Sequence, residues 1–570
     1  MSFIENNSLL NTLDRSVGQL LQLRSNDESD LLKIAGSFTS YALRQGHVCL
    51  DLNDLNTTEL GRNLDPESLL DFKERLSKSD LVGSKTKNTF PLILSEYGKL
   101  YFHRYWHYEQ RLLQAIDHRL NSDEFSQTSR DKHFIESLEQ IGEDQKRAVD
   151  RAGQSKLTLI SGGPGTGKTT AVLYILAHLI DRHCDDSLKI ALTAPTGKAA
   201  QRIKDALTSG KEILGVSDEV KNLIPADAVT LHRLLGYKRN SPQFQHNQEN
   251  PLPYDVVVVD EASMLDLLMF SKLLDALNPE TRLILLGDSH QLASVEAGSI
   301  FGDLVEASRT NKLLERHTVE LNQNYRFGVD SSLYQACKYV KDGNGEAAVE
   351  TINAAENEIS FKSLPNPSKL YSELERSLAP HFLKLTQTIE PDIALSLMEE
   401  VCILSPIRKG SFGVEGLNAS MESIIRNLNP SLTRGIYFSG QPILITENSY
   451  SQSLFNGDQG IILSSEDEPG QLFAYFRVTG DNEIRRFPIS ALPKFESAYA
   501  FTVHKSQGSE YRRVVFILPP AESPILSREL VYTAISRSRE FVEIWGQVET
   551  FKLAVQKRTL RTSGILDFLS

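Results

Sequence analysis

Cysteine is scarce in this chain of 570 residues, and the four that occur lie far apart, at Cys49, Cys184, Cys337 and Cys402. No two of them have the C-x-x-C spacing that zinc ribbons and iron–sulfur sites use, so neither kind of site is expected. Isolated cysteines of this kind are usual in a reducing compartment, and we therefore expect four free thiols.

Long apolar runs are also missing. No stretch reaches the roughly 18 uncharged apolar residues that a membrane-spanning helix needs. The first residues lack a basic segment followed by an apolar one, so a secretory signal peptide is not indicated. We expect a cytoplasmic protein with no membrane partner.

An excess of basic residues is missing as well, because 61 Lys and Arg residues stand against 74 Asp and Glu residues, for a net charge of −13. A nucleic-acid partner needs clustered cations only at its binding site, so the overall sign does not exclude one. With 40% hydrophobic and 24% charged residues, the composition is that of a folded globular protein.

The chain changes character near residue 133. Residues 1–125 have helical periodicity, and a polar stretch at 121–132 indicates a linker. Beyond it, short apolar runs at 157–160, 189–193, 256–259 and 282–286 alternate with helical segments. Continuous apolar strands separated by helices are typical of a parallel sheet that is covered on both faces.

Two further regions follow. Apolar runs at 401–405 and 513–518 repeat the pattern and predict a second α/β unit, while residues 435–492 contain strand-like segments joined by Gly, Asp and Asn turns. The predicted domains are a helical domain at 1–125, an α/β domain at 126–345, a second α/β domain at 346–434 and 493–570, and an antiparallel β insertion at 435–492.

A phosphate-binding loop follows the first apolar run. The motif G-x-x-x-x-G-K-T stands between that strand and a helical segment, which is the context that the motif requires. Its backbone N–H groups can bind phosphate oxygens, Lys168 can bridge the β- and γ-phosphates of ATP, and the Thr169 hydroxyl can bind Mg²⁺. The predicted nucleotide-binding residues of this loop are Gly162, Gly163, Pro164, Gly165, Thr166, Gly167, Lys168, Thr169 and Thr170.

Two adjacent carboxylates end the run at 256–259. Carboxyl ends of parallel strands meet ligands in open α/β sheets, so Asp260 suits a Mg²⁺ ligand and Glu261 suits a base that activates water. The pair could instead only cap a helix. Because a kinase does not need a water-activating Glu here, ATP hydrolysis is favoured.

Three more side chains are candidates for the catalytic site. Gln291 follows the run at 282–286, where it could contact the γ-phosphate and a neighbouring domain. Arg326 and Arg537 could stabilise charge on the transferring phosphate. Arg539 could substitute for Arg537, and spacing cannot choose between the two.

From Gln145 to Arg539, the order of motifs resembles that of superfamily 1 helicases, in particular the RecD type. The matching segments are spread over about 400 residues. They are EDQKRAV at 143–149, GGPGTGKTT at 162–170, TAPTGKAA at 193–200, TLHRLLG at 230–236, DEASM at 260–264, GDSHQL at 287–292, NYRF at 324–327, RKGSFGVEGLN at 408–418, NGDQGI at 456–461, AFTVHKSQGSEY at 500–511 and ELVYTAISRSR at 529–539.

This resemblance implies an α/β fold with two RecA-like P-loop motor domains, ATP and Mg²⁺ between them, and DNA across their top. It implies that Gln145 reads adenine. It also implies DNA contacts, which are Pro195, Thr196, Thr230, His232, Thr502, His504, Lys505, Ser506 and Gln507. The last five of these match the family's coupling segment between DNA and ATP. The residues alone leave both histidines open to a structural role, and they leave Lys198, Arg202 and Lys204 open to a solvated helix face.

In similar helicases a β-hairpin pin that splits the duplex occupies the place of residues 237–253, and a small β-barrel occupies that of 435–492. An ordinary surface loop is the alternative for 237–253. The same branch moves 5′ to 3′ along its strand, and nothing in the spacing of residues reveals that direction.

Segments near 46–50 and 100–106, and the end of the chain at 558–569, resemble the alpha subunit of exodeoxyribonuclease V. This implies a DNA helicase subunit that acts at duplex ends with a RecB-like helicase–nuclease and a RecC-like scaffold, onto which residues 1–125 would dock. The sequence has no carboxylate cluster for a nuclease, so exonuclease activity is expected in the partner. A stand-alone helicase and a DNA-stimulated regulatory ATPase remain alternatives.

Overall fold

The structure, a computed structural model, describes residues 7–569 except 27–28, 62–65, 85–88, 123–128, 184–187, 239–240, 242, 329, 434, 450, 466, 469, 478–483, 521–522 and 524. Cys184 and the middle of the expected linker therefore lie outside the described residues. The other three cysteines are free thiols, as expected. No helix in the described part is long and apolar enough to cross a bilayer.

The N-terminal region combines helices with a small sheet, which the prediction of a helical domain did not include. Its elements are α1 (Thr12–Arg24), α2 (Leu31–Arg44), β1 (Leu50–Asp51), α3 (Pro66–Ser77), β2 (Val82–Gly83), β3 (Leu92–Leu94), β4 (Lys99–Phe102) and α4 (His103–Leu120). The strands pair in the order β1-β4-β3-β2. Strands of two to four residues are too short for the alternation that marks a strand in sequence.

The first α/β unit is built on a six-stranded sheet. Its elements are α5 (Ser129–Glu136), α6 (Glu143–Gln154), β5 (Leu157–Gly162), α7 (Lys168–Arg182), β6 (Ile190–Ala194), α8 (Gly197–Lys211), α9 (Asp218–Leu223), β7 (Val229–Thr230), α10 (Leu231–Leu235), β8 (Val256–Val259), α11 (Leu267–Ala276), β9 (Arg282–Gly287), α12 (Ile300–Ala307), α13 (Lys312–Arg316) and β10 (Thr318–Leu321). The strands run in the order β10-β5-β9-β8-β6-β7, and every pair is parallel.

Both faces of this sheet are buried, which confirms the expectation from the apolar runs. In β8, Val257 and Val259 join the core under α4, α11 and α12, while Val256 and Val258 join the core under α6, α7 and α8. Side chains alternate between faces along a strand. A strand that is covered on both sides must therefore be apolar at every position.

The second α/β unit has a five-stranded parallel sheet and contains the β insertion. Its elements are α14 (Ser332–Lys341), α15 (Gly345–Ala354), β11 (Ile359–Lys362), α16 (Pro367–Gln387), α17 (Pro391–Met398), β12 (Val401–Ser405), α18 (Val414–Leu428), the inserted β13 (Gln441–Ile445), β14 (Gln459–Ser464), β15 (Leu472–Arg477), β16 (Ile484–Pro488) and β17 (Phe495–Ser497), then β18 (Ala500–Thr502), β19 (Tyr511–Ile517), α19 (Arg528–Ile535), β20 (Ser538–Trp545) and α20 (Val548–Gln556). The parallel order is β11-β20-β19-β12-β18.

The insertion is an antiparallel sheet in the order β16-β15-β14-β13-β17, and it extends a few residues past the expected end at 492. Among the described residues, the edge strands β16 and β17 do not pair with each other, so a closed barrel stays a prediction. The loop at 237–253 contains two isolated antiparallel bridges, Tyr237 to Phe244 and Asn247 to Asn250, rather than two regular strands in its described part.

The end of the chain packs away from the second sheet, to which the sequence analysis assigned it. The last helix, α21 (Ile565–Leu569), packs against α12 and α4, and Ile565 and Leu569 belong to the core of the first sheet. Sequence gave no sign of this, because the contacts join residues that are hundreds of positions apart. We call residues 561–569 the C-terminal tail.

Polar contacts hold the tail between the N-terminal region and the first α/β unit. Lys99 Nζ donates to the carbonyl oxygen of Ser563 at 2.6 Å, and the N–H of Gly564 donates to Glu109 Oε2 at 2.9 Å. The Ser563 hydroxyl donates to Asp303 Oδ2 at 2.7 Å. Burial raises the pKa of both Glu109 and Asp303 to about 7, against the effect of these hydrogen bonds.

We expect Ile565→Ala to destabilise the first α/β unit. The side chain is fully buried, and truncating an isoleucine at such a site costs about 2–5 kcal/mol of unfolding free energy. Urea titration followed by tryptophan fluorescence measures the loss, because Trp106 lies in the same core. Leu566→Ala is the matched control, since Leu566 is 38% exposed and should cost under about 1 kcal/mol. Equal losses for the two variants would contradict the observed packing of the tail.

Glu109 predicts a pH dependence of stability. Its folded pKa lies above its ordinary value, so the folded state binds the proton more tightly and stability falls as pH rises from about 5 to about 7. Glu109→Gln should flatten that slope by as much as about 1.4 kcal/mol per pH unit. Urea titrations of both proteins at pH 5.5, 6.5 and 7.5 measure it, and identical slopes would refute the prediction.

Candidate functional site

The phosphate-binding loop joins β5 to α7. Gly165 and Gly167 have φ angles of +79° and +76°, which side chains other than glycine rarely adopt. A Cβ atom on Gly167 would also lie 2.3 Å from Gln145 Nε2. Lys168 Nζ donates to the carbonyl oxygens of Gly162 at 2.6 Å and Gly163 at 3.1 Å, so its ammonium group lies within the loop.

Asp260 and Glu261 follow β8 as expected. Glu261 has a φ of +52°, a strained conformation for a residue with a side chain, and such strain persists where the surroundings impose it. The Glu261 N–H donates to Asp260 Oδ1 at 2.8 Å, while Glu261 Oε2 is buried without a hydrogen-bond partner in the described structure. Burial and the charge of Glu261 raise the pKa of Asp260 to about 6, although Lys168 opposes the shift.

Gln291 follows β9, which lies between β5 and β8, so its side chain reaches the same edge of the sheet. Gln291 Nε2 donates to Asp288 Oδ2 at 3.1 Å. Its Oε1 is buried and has no partner among the described residues. Gln291 and Glu261, which line the same cavity, thus each have a buried acceptor atom without a partner, and such an atom calls for an explanation.

The second sheet supplies Arg537, which is 2% exposed and donates through Nε to the carbonyl oxygen of Thr533 at 3.1 Å. Arg539 instead lines a separate cavity, so of the two candidates only Arg537 faces the phosphate-binding loop. Arg326, which follows β10, donates through Nη2 to Glu510, and its Nη1 is buried without a partner in the described part of the chain.

A cavity of about 320 Å³ brings these groups together. Of the predicted residues it is lined by Gly163, Pro164, Gly165, Thr166, Gly167, Lys168, Thr169, Thr170, Asp260, Glu261, Gln291, Arg326 and Arg537. Gly162 lies at the end of β5 outside the lining. Gln145 lies behind the loop, where Nε2 donates to the Gly167 carbonyl oxygen at 3.0 Å and Oε1 accepts from the Gly142 N–H at 3.1 Å.

Besides Ala199, three lining residues were not assigned to this site from sequence: Arg202, Tyr325 and Glu510. Arg202 and Glu510 form an ion pair of 2.5 Å across the cavity. The Tyr325 ring is 48% exposed and adjoins Gly167. All three stand inside matching motifs or within two residues of one, so the motifs located them without indicating what they contact.

The residues of the first unit that were predicted to bind nucleic acid lie at the ends of β6 and β7. These two strands pair, and Ala194 lies opposite Thr230. This places Pro195 and Thr196 beside Thr230. The hydroxyl of Thr196 accepts from the Ala199 N–H, and that of Thr230 accepts from the Arg233 N–H, so both threonines cap helices. The His232 ring packs edge to face against Phe244, with ring centroids 5.7 Å apart, and burial lowers the pKa of His232.

In the second unit, Thr502 caps a 3₁₀ turn (Val503–Ser506), and Lys505 Nζ donates to Glu496 Oε1 at 2.8 Å. Burial, followed by the Arg561 charge, lowers the pKa of His504. Thr502, His504 and Lys505 are partly accessible.

Ser506 and Gln507 correct the sequence prediction, because the structure buries both. Ser506 donates to the Val503 carbonyl oxygen at 2.7 Å, and Gln507 Nε2 donates to the Leu292 carbonyl oxygen at 2.7 Å. Gln507 therefore joins the two α/β units rather than facing the surface. Adjacency to Lys505 in the motif could not distinguish these roles.

Three family descriptions match the chain: a RecBCD enzyme subunit RecD N-terminal domain at residues 6–101, an AAA domain at 145–297, and a UvrD-like helicase C-terminal domain at 497–543. Among solved structures, the Pif1 helicase from Candida albicans aligns with 72% of this chain and 96% of its own at 16% identity, with a TM-score of 0.38. That structural similarity is too low to carry a conclusion.

Curated relatives are much closer in sequence. The RecBCD enzyme subunit RecD of Haemophilus influenzae is 34% identical, covering 82% of this chain and 80% of its own length. The RecBCD enzyme subunit RecD of Mycolicibacterium smegmatis is 33% identical, covering 98% of this chain and 97% of its own length. The ATP-dependent RecD2 DNA helicase of Deinococcus radiodurans is 32% identical over 75% of this chain and 52% of its own length. The chain therefore belongs to the family of RecD subunits of the RecBCD enzyme.

Proposed function

We propose that this chain is an ATP-dependent DNA helicase that moves 5′ to 3′ along single-stranded DNA. The observation that carries the proposal is the cavity between the two α/β units, lined by the phosphate-binding loop of one and Arg537 of the other. A nucleotide in that cavity would contact both units, so its hydrolysis would change how they fit together. Family membership supports DNA as the substrate, and the direction rests on the resemblance of the motifs.

The cavity's chemistry suits a magnesium nucleotide. Asp260 and Thr169 are the candidate Mg²⁺ ligands. Burial and then the adjacent charge of Glu261 raise the pKa of Asp260, and a bound cation would offset both effects. The ion would neutralise charge on the β- and γ-phosphates. Tyr325 offers an exposed ring beside the loop on which a base can stack, next to Gln145.

Each unsatisfied atom in the cavity has a role in hydrolysis. Glu261 Oε2 can accept a proton from the attacking water, and Gln291 Oε1 can orient that water. Lys168, Arg326 and Arg537 can stabilise negative charge on the transferring phosphate. Because Arg537 belongs to the second unit, hydrolysis would require the two units to be docked.

Direct contacts link the interface between the two α/β units to the residues that are proposed to bind DNA. The N–H of Leu292 donates to Thr533 Oγ1 at 2.9 Å, and its carbonyl oxygen accepts from Gln507. Leu292 adjoins Gln291, and Gln507 lies two residues after Lys505. A change at the nucleotide can therefore reach the segment that is proposed to hold the DNA backbone, and alternating grips of the two units would advance the strand.

We further propose that the chain works in the cytoplasm with a RecB-like helicase–nuclease and a RecC-like scaffold, on duplex ends, in the repair of double-strand breaks and the degradation of foreign linear DNA. The RecD N-terminal match at 6–101 supports docking of that region on the scaffold. Nuclease activity is assigned to the helicase–nuclease partner. A self-sufficient helicase and a regulatory ATPase are the alternatives.

Replacing cationic side chains that line the cavity with neutral ones tests the proposed catalysis. Lys168→Gln and Arg537→Gln should each lower the kcat of DNA-stimulated ATP hydrolysis by at least about 100-fold, because charge on the transferring phosphate loses its stabilisation. Arg539→Gln, the matched control, should stay within about twofold. Steady-state assays with an oligonucleotide provide the comparison. A wild-type rate that is the same with and without DNA would refute the helicase proposal, and unchanged strand processing by the Lys168→Gln complex would favour a regulatory role.

The loop at 237–253 is proposed to separate the strands of the duplex. Replacing Asn247–Asn250 with two glycines keeps Phe244 in the core and shortens the exposed turn. Unwinding of a 5′-tailed duplex should be lost, while DNA-stimulated ATP hydrolysis stays within about twofold, since the loop does not line the nucleotide cavity. Parallel loss of both activities would show that the loop is an ordinary part of the fold.

A further inference from the structure

Glu510 occupies a position that the proposed mechanism does not explain. It stands between the 3₁₀ turn and β19 of the second unit and reaches into the nucleotide cavity. One oxygen, Oε1, lies 2.5 Å from Nη2 of both Arg202 and Arg326. Both arginines belong to the first unit, so a single carboxylate oxygen joins two cations across the cleft.

The contact with Arg326 competes with phosphate binding. Arg326 Nη2 donates to Glu510 Oε1, while Arg326 Nη1 is buried without a partner in the described structure. A guanidinium that binds a phosphate usually uses two N–H groups side by side. Glu510 occupies Nη2 and neutralises the charge of Arg326, so its carboxylate and the terminal phosphate compete for the same guanidinium. Burial favours the neutral form of Glu510, yet the charges of Arg202 and Arg326 bring its pKa down to about 2, so it remains ionised.

Arg202 provides a second partner for Glu510 once Arg326 moves. Besides the ion pair, Arg202 Nη1 donates to the carbonyl oxygen of Gly508 at 3.2 Å, so it is attached to the segment that carries Glu510. The charges of Asp260 and Glu261 also act on Arg202. Releasing Arg326 therefore leaves the Glu510 carboxylate with a cation rather than buried alone.

Glu510 belongs to the segment that is proposed to contact DNA. Thr502, His504 and Lys505 lie five to eight residues before it, and Gln507 fixes the stretch between them to Leu292. A strand that binds these residues would shift the backbone from which Glu510 extends. The distance between Glu510 and Arg326 would then depend on whether DNA is bound.

We propose that Glu510 is a positioning residue that holds Arg326 away from the terminal phosphate until DNA binds. The inference rests on the proposed function and adds a route by which DNA stimulates hydrolysis. Glu510 acts only through Arg326, and Arg202 holds the carboxylate after the exchange. DNA binding thereby makes Arg326 available to the phosphate.

The test is Glu510→Gln, which keeps the shape of the side chain and removes its charge. ATP hydrolysis without DNA should rise by at least about fivefold, while the rate at saturating oligonucleotide stays within about twofold, so the stimulation ratio falls. Glu373→Gln is the matched control, because Glu373 also pairs with two cations, Lys362 and Arg376, and its pKa is likewise lowered to about 2, but it lies outside the cavity. It should leave both rates unchanged.

A double-mutant cycle shows whether the effect passes through Arg326. Adding Glu510→Gln to an Arg326→Gln protein should change neither rate. Should Glu510→Gln fold poorly, Glu510→Asp shortens the reach to the arginines and should raise the DNA-free rate by a smaller factor. The inference is overturned if the DNA-free rate stays the same or falls, or if the effect persists without Arg326.

Measurements on the wild-type protein distinguish failure of the Glu510 role from failure of the proposed helicase function. DNA stimulation of the wild-type ATPase tests the helicase function, and only the comparison with Glu510→Gln tests the positioning role. A stimulated wild type with a variant of unchanged ratio would leave the function standing and reject the role of Glu510.

Discussion

Charged groups buried in the cleft between the two sheets depend on one another. Taking an ion out of water costs several kcal/mol unless an opposite charge or hydrogen bonds replace the lost hydration. The cavity is lined by four cations, Lys168, Arg202, Arg326 and Arg537, and by three carboxylates, Asp260, Glu261 and Glu510. Because one cation and one carboxylate come from the second sheet, the charge balance of the site depends on the docking of the two units.

Local features of the sequence predicted much of this site. The phosphate-binding loop and the Asp260–Glu261 pair are contiguous in the chain, and each follows a strand whose apolar run reflects burial on both faces. The choice between Arg537 and Arg539 was different. Both flank the start of β20, and only the three-dimensional course of the chain shows which one turns toward the loop.

The remaining differences arise from contacts between distant residues. The small N-terminal sheet consists of strands too short to have a pattern, and the tail is fixed by partners such as Lys99 and Glu109, more than 450 positions away. The burial of Ser506 and Gln507 could not be predicted for a related reason. A polar residue in a surface motif and one that joins two domains have the same local sequence, and only burial distinguishes them.

The C-terminal tail has a mechanical consequence. The chain leaves the second sheet at the end of α20, Gln556, and is bound to both units before the tail. The Thr559 N–H donates to Glu529 Oε2 of the second unit, while Arg558 Nη2 lies 3.3 Å from Glu306 Oε2 of the first. Arg561 Nη1 then donates to the carbonyl oxygens of Glu296 and Gly298 of the first unit. Five Cα–Cα steps connect Gln556 to Arg561, and at about 3.5 Å each they span roughly 18 Å when fully extended. This short connection limits how far the two α/β units can move apart in each cycle before α21 loses its contacts with α12 and α4. The size of the movement between the units is therefore bounded by the length of this connection.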